Sequence, residues 1–201
     1  MINYKDYFEK AFNYEDYKAF MHQNVLDRTC SGNDKDSTRI VTTQLNEQRM
    51  KRVEKTFVIH DDLQKNLEKI SEKYYWLIIV ETWCGDAAQN FPALIKIAEH
   101  SKNIEAKVIL RDDNPELIDA HLTEGTRSIP KLLCFDKNFN LVCEWGARPV
   151  LAQNIVDEHK KLPDYNRLTM HEDLHKWYAL NRSNALQDEI NELLKKHLLV
   201  N

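Results

Sequence analysis

Glycine is scarce in this chain: 201 residues contain four, beside five prolines. So few permissive positions fit a helix-rich fold. Cysteine is scarce as well. Cys30, Cys84, Cys134 and Cys143 make an even number, but a chain of this length with no sign of secretion is not a disulfide scaffold. Positive charge is not in excess. The net charge of −4 gives no electrostatic case for nucleic acid. No apolar stretch approaches the ~20 residues of a membrane span, so no membrane partner is expected. Met1-Ile2-Asn3-Tyr4-Lys5-Asp6 lacks the apolar core of a signal peptide, which predicts a cytoplasmic protein. The length suffices for one domain with a proper core.

What is present is a reactive turn. The apolar run Trp76-Leu77-Ile78-Ile79-Val80 predicts a strand, and Phe91 to Ala98 a helix. Between them lie Trp83-Cys84-Gly85-Asp86-Ala87. At a helix start the backbone N–H groups lack partners and the dipole favours an anion. Cys84 at that place is a candidate nucleophile, with a pKa expected below the ~8.5 of a free thiol. Gly85 lets the backbone approach a partner. Asp86 suits a helix start, but its charge disfavours the neighbouring thiolate and limits the drop. Ala87 has no sulfur, so no second thiol next door can displace a partner from Cys84. Further on, Ile129-Pro130 precedes the strand-like Lys131-Leu132-Leu133-Cys134-Phe135. Proline at the first residue of a strand needs no ladder partner, and an X–Pro bond is the common place for a cis peptide.

In this order the Trp-Cys-Gly turn, Ile129-Pro130 and Gly146-Ala147 make the segment from Thr56 to His159 resemble the thioredoxin family. Gly-Asp-Ala-Ala-Gln also resembles a bacterial subgroup of thioredoxin-like proteins with long helical flanks. The resemblance implies an α/β thioredoxin-like fold, a mixed sheet flanked by helices. It implies Cys84 as nucleophile, Trp83 packed beside it, and Ile129 with a cis Pro130 as the opposite wall, alongside Gly85, Asp86 and Ala87. No cofactor and no metal are implied. Two departures stand together. The family's resolving cysteine is here Ala87, and its buried aspartate falls at Ile78. Without a second thiol to deprotonate, a buried charge at position 78 would only cost stability.

The chain reads as one domain, 1–201: an N-terminal helical extension (1–55), the thioredoxin-like core (56–160) and a C-terminal helical extension (161–201). Tyr4, Tyr7, Phe8 and Ala11, then Tyr14, Tyr17 and Met21, recur at helical spacing. This aromatic stripe docks on the body of the protein or on a second copy, a homodimer through the helical extensions. Ser37 is a candidate cap for a helix carrying Ile40, Val41 and Leu45. Thr56–His60 reads as a strand, Asp61–Lys73 as a helix, Trp76–Glu81 and Ile104–Leu110 as strands, and Pro115–Leu122 as a short helix. Lys131–Phe135 and Leu141–Trp145 read as strands joined by Asp136-Lys137-Asn138. Val150–Lys160, Leu168–Leu180 and Ser183–Leu199 read as helices. Pro92 predicts a kink in the helix after Cys84. Cys134 and Cys143 read as buried thiols. Cys30, before the loop Ser31-Gly32-Asn33-Asp34, is the one candidate for a distant resolving thiol.

Two other patterns carry less. His171-Glu172-Asp173-Leu174-His175 matches H-E-x-x-H, but charges flank it and no third ligand follows, so it reads as an exposed polar helix turn. Gly146-Ala147-Arg148-Pro149 lacks the glycine pair and acidic residues with which monothiol glutaredoxins hold glutathione. The Pro-x-x-x-Thr-x-x-Cys context of peroxiredoxins is missing too. Two readings of different class remain. One is a monothiol thiol–disulfide oxidoreductase whose partners are protein or low-molecular-weight thiols and disulfides. The other is a noncatalytic thioredoxin-fold binding module.

Overall fold

The sheet grows from its most apolar strand, β1 (Tyr74–Val80), whose last five residues are all buried. A strand covered on both faces reads as a continuous apolar run, and this one does. The computed structural model describes residues 2–32 and 34–199, so Met1 and Asn33 of the predicted loop lie outside the described residues. β2 (Ile104–Leu110) lies parallel to β1, with Ile78 opposite Val108. On the other side β3 (Lys131–Phe135) is antiparallel to β1, and β4 (Leu141–Gly146) is antiparallel to β3. The order is β2-β1-β3-β4, the mixed sheet expected of a thioredoxin-like α/β fold. Ile78 is fully buried in it. No helix among the described residues is long and apolar enough to cross a membrane.

Nine helices occur among the described residues. α5 (Gly85–Glu99) follows β1 and packs on β1 and β2. The N-terminal segment forms α1 (Tyr4–Lys10), α2 (Tyr14–Leu26) and α3 (Ser37–Thr56). Most of its aromatic stripe is buried in this same chain, with Tyr4 and Tyr7 half-buried. Phe8 meets Tyr75 edge-on at 5.0 Å, and Tyr14 and Tyr17 each meet Phe91 of α5 edge-on at 5.2 Å. The cap of α3 is Asp36, whose carboxylate accepts from the Arg39 N–H at 2.9 Å; Ser37 is the first helical residue. α3 then lies along α5. α6 (Pro115–Asp119) is shorter than expected, and α7 (Val150–Lys161), α8 (Arg167–Asn181) and α9 (Asn184–His197) follow β4. α8 packs mainly on α7, where Ala152, Val156, Met170, Leu174 and Tyr178 form a small core apart from the main one.

One expected strand is not there. α3 continues through Thr56, and Phe57–His60 is irregular chain leading into α4 (Asp61–Glu68), itself shorter than the helix expected to reach Lys73. The apolar run Phe57-Val58-Ile59 does reflect extended backbone seeking partners. A single side chain supplies them. The buried Gln187 amide on α9 donates to the Val58 carbonyl at 3.0 Å and accepts from the His60 N–H at 2.8 Å. Against the edge of β2 runs the connection between α1 and α2 instead, where Phe12 and Val108 exchange backbone bonds of 2.8 and 2.9 Å.

Replacing Gln187 by Met keeps the volume and removes both bonds. Each lost partner is worth about 1 kcal/mol. We expect Q187M to lower the unfolding free energy by about 2 kcal/mol in urea titrations with an unchanged m value.

Candidate active site

Cys84 is the N-cap of α5. Its backbone is extended and its sulfur accepts from the Ala87 N–H at 3.4 Å. The thiol itself donates to the Ile129 carbonyl at 3.3 Å, and the Ile129–Pro130 peptide is cis. Cys84, Ile129 and Pro130, far apart in the chain, therefore meet in one place. Gly146 makes the second wall possible. Its φ is +135°, and a β-carbon there would lie 2.2 Å from the Pro130 carbonyl oxygen. Trp83 lies half-buried beside the site, with the Arg39 and Arg111 guanidiniums over its ring at 4.2 and 4.9 Å.

The turn from Glu81 to Cys84 is buried except for Trp83, so its polar groups need partners. Sequence reasoning did not anticipate who supplies them. Thr82 exchanges bonds with Ser31: its Oγ1 accepts from the Ser31 N–H, and its own N–H donates to the Ser31 hydroxyl, both at 2.9 Å. Asn46 of α3 donates to the Thr82 carbonyl at 2.9 Å, and the Thr43 and Thr82 hydroxyls lie 3.2 Å apart. Glu81 accepts from the Ser31 hydroxyl and from the Asp112 N–H at 2.7 Å. Burial raises the pKa of this carboxyl. The residue before Ser31 is Cys30, also buried, whose thiol donates to the Asp34 carbonyl at 3.8 Å.

Asp86 is held from the C-terminal side. Arg148 donates to its Oδ2 from Nε and Nη2, each at 2.8 Å. The Tyr178 hydroxyl of α8 donates to Oδ1 at 2.8 Å and accepts from the Asn90 amide at 3.1 Å. α8 also brings His175 onto the turn. A β-carbon on Gly85 would meet the His175 ring at 2.8 Å and Arg49 Nη1 at 3.3 Å. The H-E-x-x-H segment is thus corrected. His171 and His175 do share a face, with ring centroids 6.1 Å apart, but His175 is half-buried over Gly85 of the Cys84 turn and not an exposed helix residue. Gln89 donates to its Nδ1 at 3.1 Å. No grouping among the described residues could hold a metal ion.

The expected pKa of Cys84 is corrected as well. Burial, with the Asp86 charge second, pushes the thiol up to about 12. The Ala87 N–H and Arg148 pull the other way and lose. The sulfur's residue is 9% exposed, so little water reaches the thiolate that would form.

A sequence model of the family described as thioredoxin matches residues 32–161. The chain belongs to the thioredoxin family. Membership covers the sheet, the Cys84 turn and α3, and stops before α8, so Tyr178 and His175 lie outside the matched thioredoxin segment. The comparison with curated proteins gave no match. Two solved structures resemble the whole chain. One is a Pseudomonas aeruginosa protein of unknown function, 18% identical, with a TM-score of 0.62 over 98% of this chain and 99% of that one. The other is an HIV epitope scaffold, also 18% identical, with a TM-score of 0.60 over 97% and 99%. At that identity they establish a shared fold, helical flanks included.

A thiol titrating near 12 gains thiolate steadily as pH rises. Alkylation of Cys84 should therefore accelerate about tenfold per pH unit from about pH 7 to 10 without levelling, read by mass mapping of the Cys84 peptide. Asp86→Asn removes the second cause of the shift and should speed alkylation about threefold to tenfold at about pH 8. A plateau near pH 8.5, the range of an ordinary thiol, would contradict the burial argument.

Proposed function

We propose that this protein is a monothiol thiol–disulfide oxidoreductase of the thioredoxin family that works by mixed disulfides at Cys84. The supporting observation is the seat of the sulfur: at the first turn of α5, opposite Ile129-Pro130, with Ala87 where a resolving thiol would stand. The Cys84 thiolate attacks a disulfide R–S–S–R, forms Cys84–S–S–R and expels R–S⁻; the thiol proton goes to solvent. An external thiol R′–SH, as thiolate, then attacks the R sulfur of the mixed disulfide, forms R–S–S–R′ and releases the Cys84 thiolate, which regains a proton from solvent. No net oxidation of the protein occurs in the cycle. The partner is a protein or low-molecular-weight thiol or disulfide, and the compartment is cytoplasmic.

The raised thiol pKa and the 9% exposure favour a second reading, a thioredoxin-fold binding module without turnover. One experiment separates the two. The protein is incubated with the neutral dithiodiethanol and weighed intact. A single adduct at Cys84, absent in Cys84→Ser, supports the monothiol cycle; no adduct leaves the binding module.

Turnover of protein disulfides has its own test. Wild type should reduce insulin no faster than dithiothreitol alone. Ala87→Cys supplies the missing thiol and should raise that rate by at least about threefold, with Ile78 in place of a carboxylate keeping it below an ordinary dithiol enzyme.

A further inference from the structure

Arg49 and Arg52 of α3 face α5 half-buried, and no carboxylate among the described residues pairs with either. Their hydrogen bonds go to side-chain amides: Arg49 Nη1 to Asn46 at 2.8 Å, and Arg52 Nη2 to Gln89. Burial and mutual repulsion lower the Arg49 pKa to about 10. His175 joins them over Gly85, and His171 stands one turn away. Gln89 spends its carbonyl on Arg52 and its amide on His175 Nδ1, which leaves His175 Nε2 as the N–H. That nitrogen lies 2.9 Å from the point where a Gly85 side chain would begin. The carboxylate that faces this cluster, Asp86, is already committed to Arg148 and Tyr178. A protein of net charge −4 thus gathers partly desolvated guanidiniums and imidazoles beside one cysteine. Holding unpaired cations there is costly unless an anion compensates them.

We propose that Arg49, Arg52 and His175 form a subsite for the anionic group of a low-molecular-weight thiol or disulfide that exchanges with Cys84. The proposal rests on the mixed-disulfide reading above and names its substrate class: a small thiol carrying a carboxylate or phosphate, not a neutral or cationic one. In the exchange the anion stays on the R group of Cys84–S–S–R, and R–S⁻ leaves with its own anion.

The test compares three small disulfides by intact mass at about pH 8: dianionic dithiodipropionate, neutral dithiodiethanol and dicationic cystamine. Dithiodipropionate should modify Cys84 about tenfold faster than dithiodiethanol, and cystamine more slowly than both. The ratio should shrink as ionic strength rises from about 0.02 to 0.5 M. The double variant Arg49→Gln/Arg52→Gln should bring the ratio close to one, whereas Arg49→Lys/Arg52→Lys should retain most of it; circular dichroism establishes that both fold. Equal rates for the three reagents in the wild type would overturn the subsite and leave the mixed-disulfide chemistry standing. If no reagent reacts, that chemistry fails instead, and the subsite is read by NMR titration of Cys84→Ser with dithiodipropionate. Saturable shifts of the His175 ring signals, lost in the double glutamine background, uphold it; unmoved signals overturn it.

Discussion

The turn that carries Cys84 is buried, and buried polar groups must be paired. That requirement organises the rest of the molecule. Three residues of the turn, Glu81, Thr82 and Asp86, bring carboxylates, a hydroxyl and backbone groups out of water. An unpaired buried polar group costs on the order of 1–3 kcal/mol, and an unpaired buried charge more. The partners arrive from both directions along the chain. Ser31, Thr43 and Asn46 precede the turn and fix Thr82 and Glu81; Arg148 and Tyr178 follow it and fix Asp86. The helical flanks therefore complete the Cys84 turn as well as add to the core.

The same burial settles a contest over the sulfur. A helix N-terminus stabilises a nearby anion by up to about 2 kcal/mol in partly buried geometries. Here burial and the Asp86 charge lift the thiol to about 12 even with the Ala87 and Asp86 N–H groups bonded to the sulfur. Desolvation wins because the Sγ lies between Ala87 and Ile129 with almost no solvent, and its proton is held by the Ile129 carbonyl. The position of a cysteine at a helix start thus predicts a direction of shift only where water can reach the thiolate.

Local pattern carried much of this structure. β2 and β3 have the limits expected from their apolar runs, because strand patterning acts over a few residues, and Cys84 and Ile129-Pro130, which the thioredoxin resemblance singled out, lie together. What stayed hidden acts over long separations. Nothing near Thr82 signals Asn46, nothing near Asp86 signals Tyr178, and the pairing of Val58 and His60 with Gln187 spans more than half the chain. Thr56–His60 misled for a related reason: an extended apolar segment satisfied by a side-chain amide has the same residue pattern as one satisfied by a strand. His171 and His175 misled because flanking charges mark a helix as wet, although one of its faces can still be covered.

That covered face is attached in an unusual way. The apolar residues of α8 pack on α7, in a cluster separate from the main core. Its hold on α5 runs through polar atoms: Tyr178 to Asp86 and Asn90, and His175 to Gln89. A hydrogen bond adds about 0.5–1.5 kcal/mol, or more where one partner is charged, whereas a buried apolar side chain adds about 1.5–3 kcal/mol without regard to direction. Polar attachment fixes orientation more than it adds stability. It sets the imidazole of His175 over Gly85, while Arg148, from the connection before α7, sets its guanidinium on Asp86. A side chain at position 85 would have to displace that ring, and the carboxylate at position 86 is paired by the guanidinium beside it. The two residues between Cys84 and the missing thiol are accounted for by the side chains that close over them.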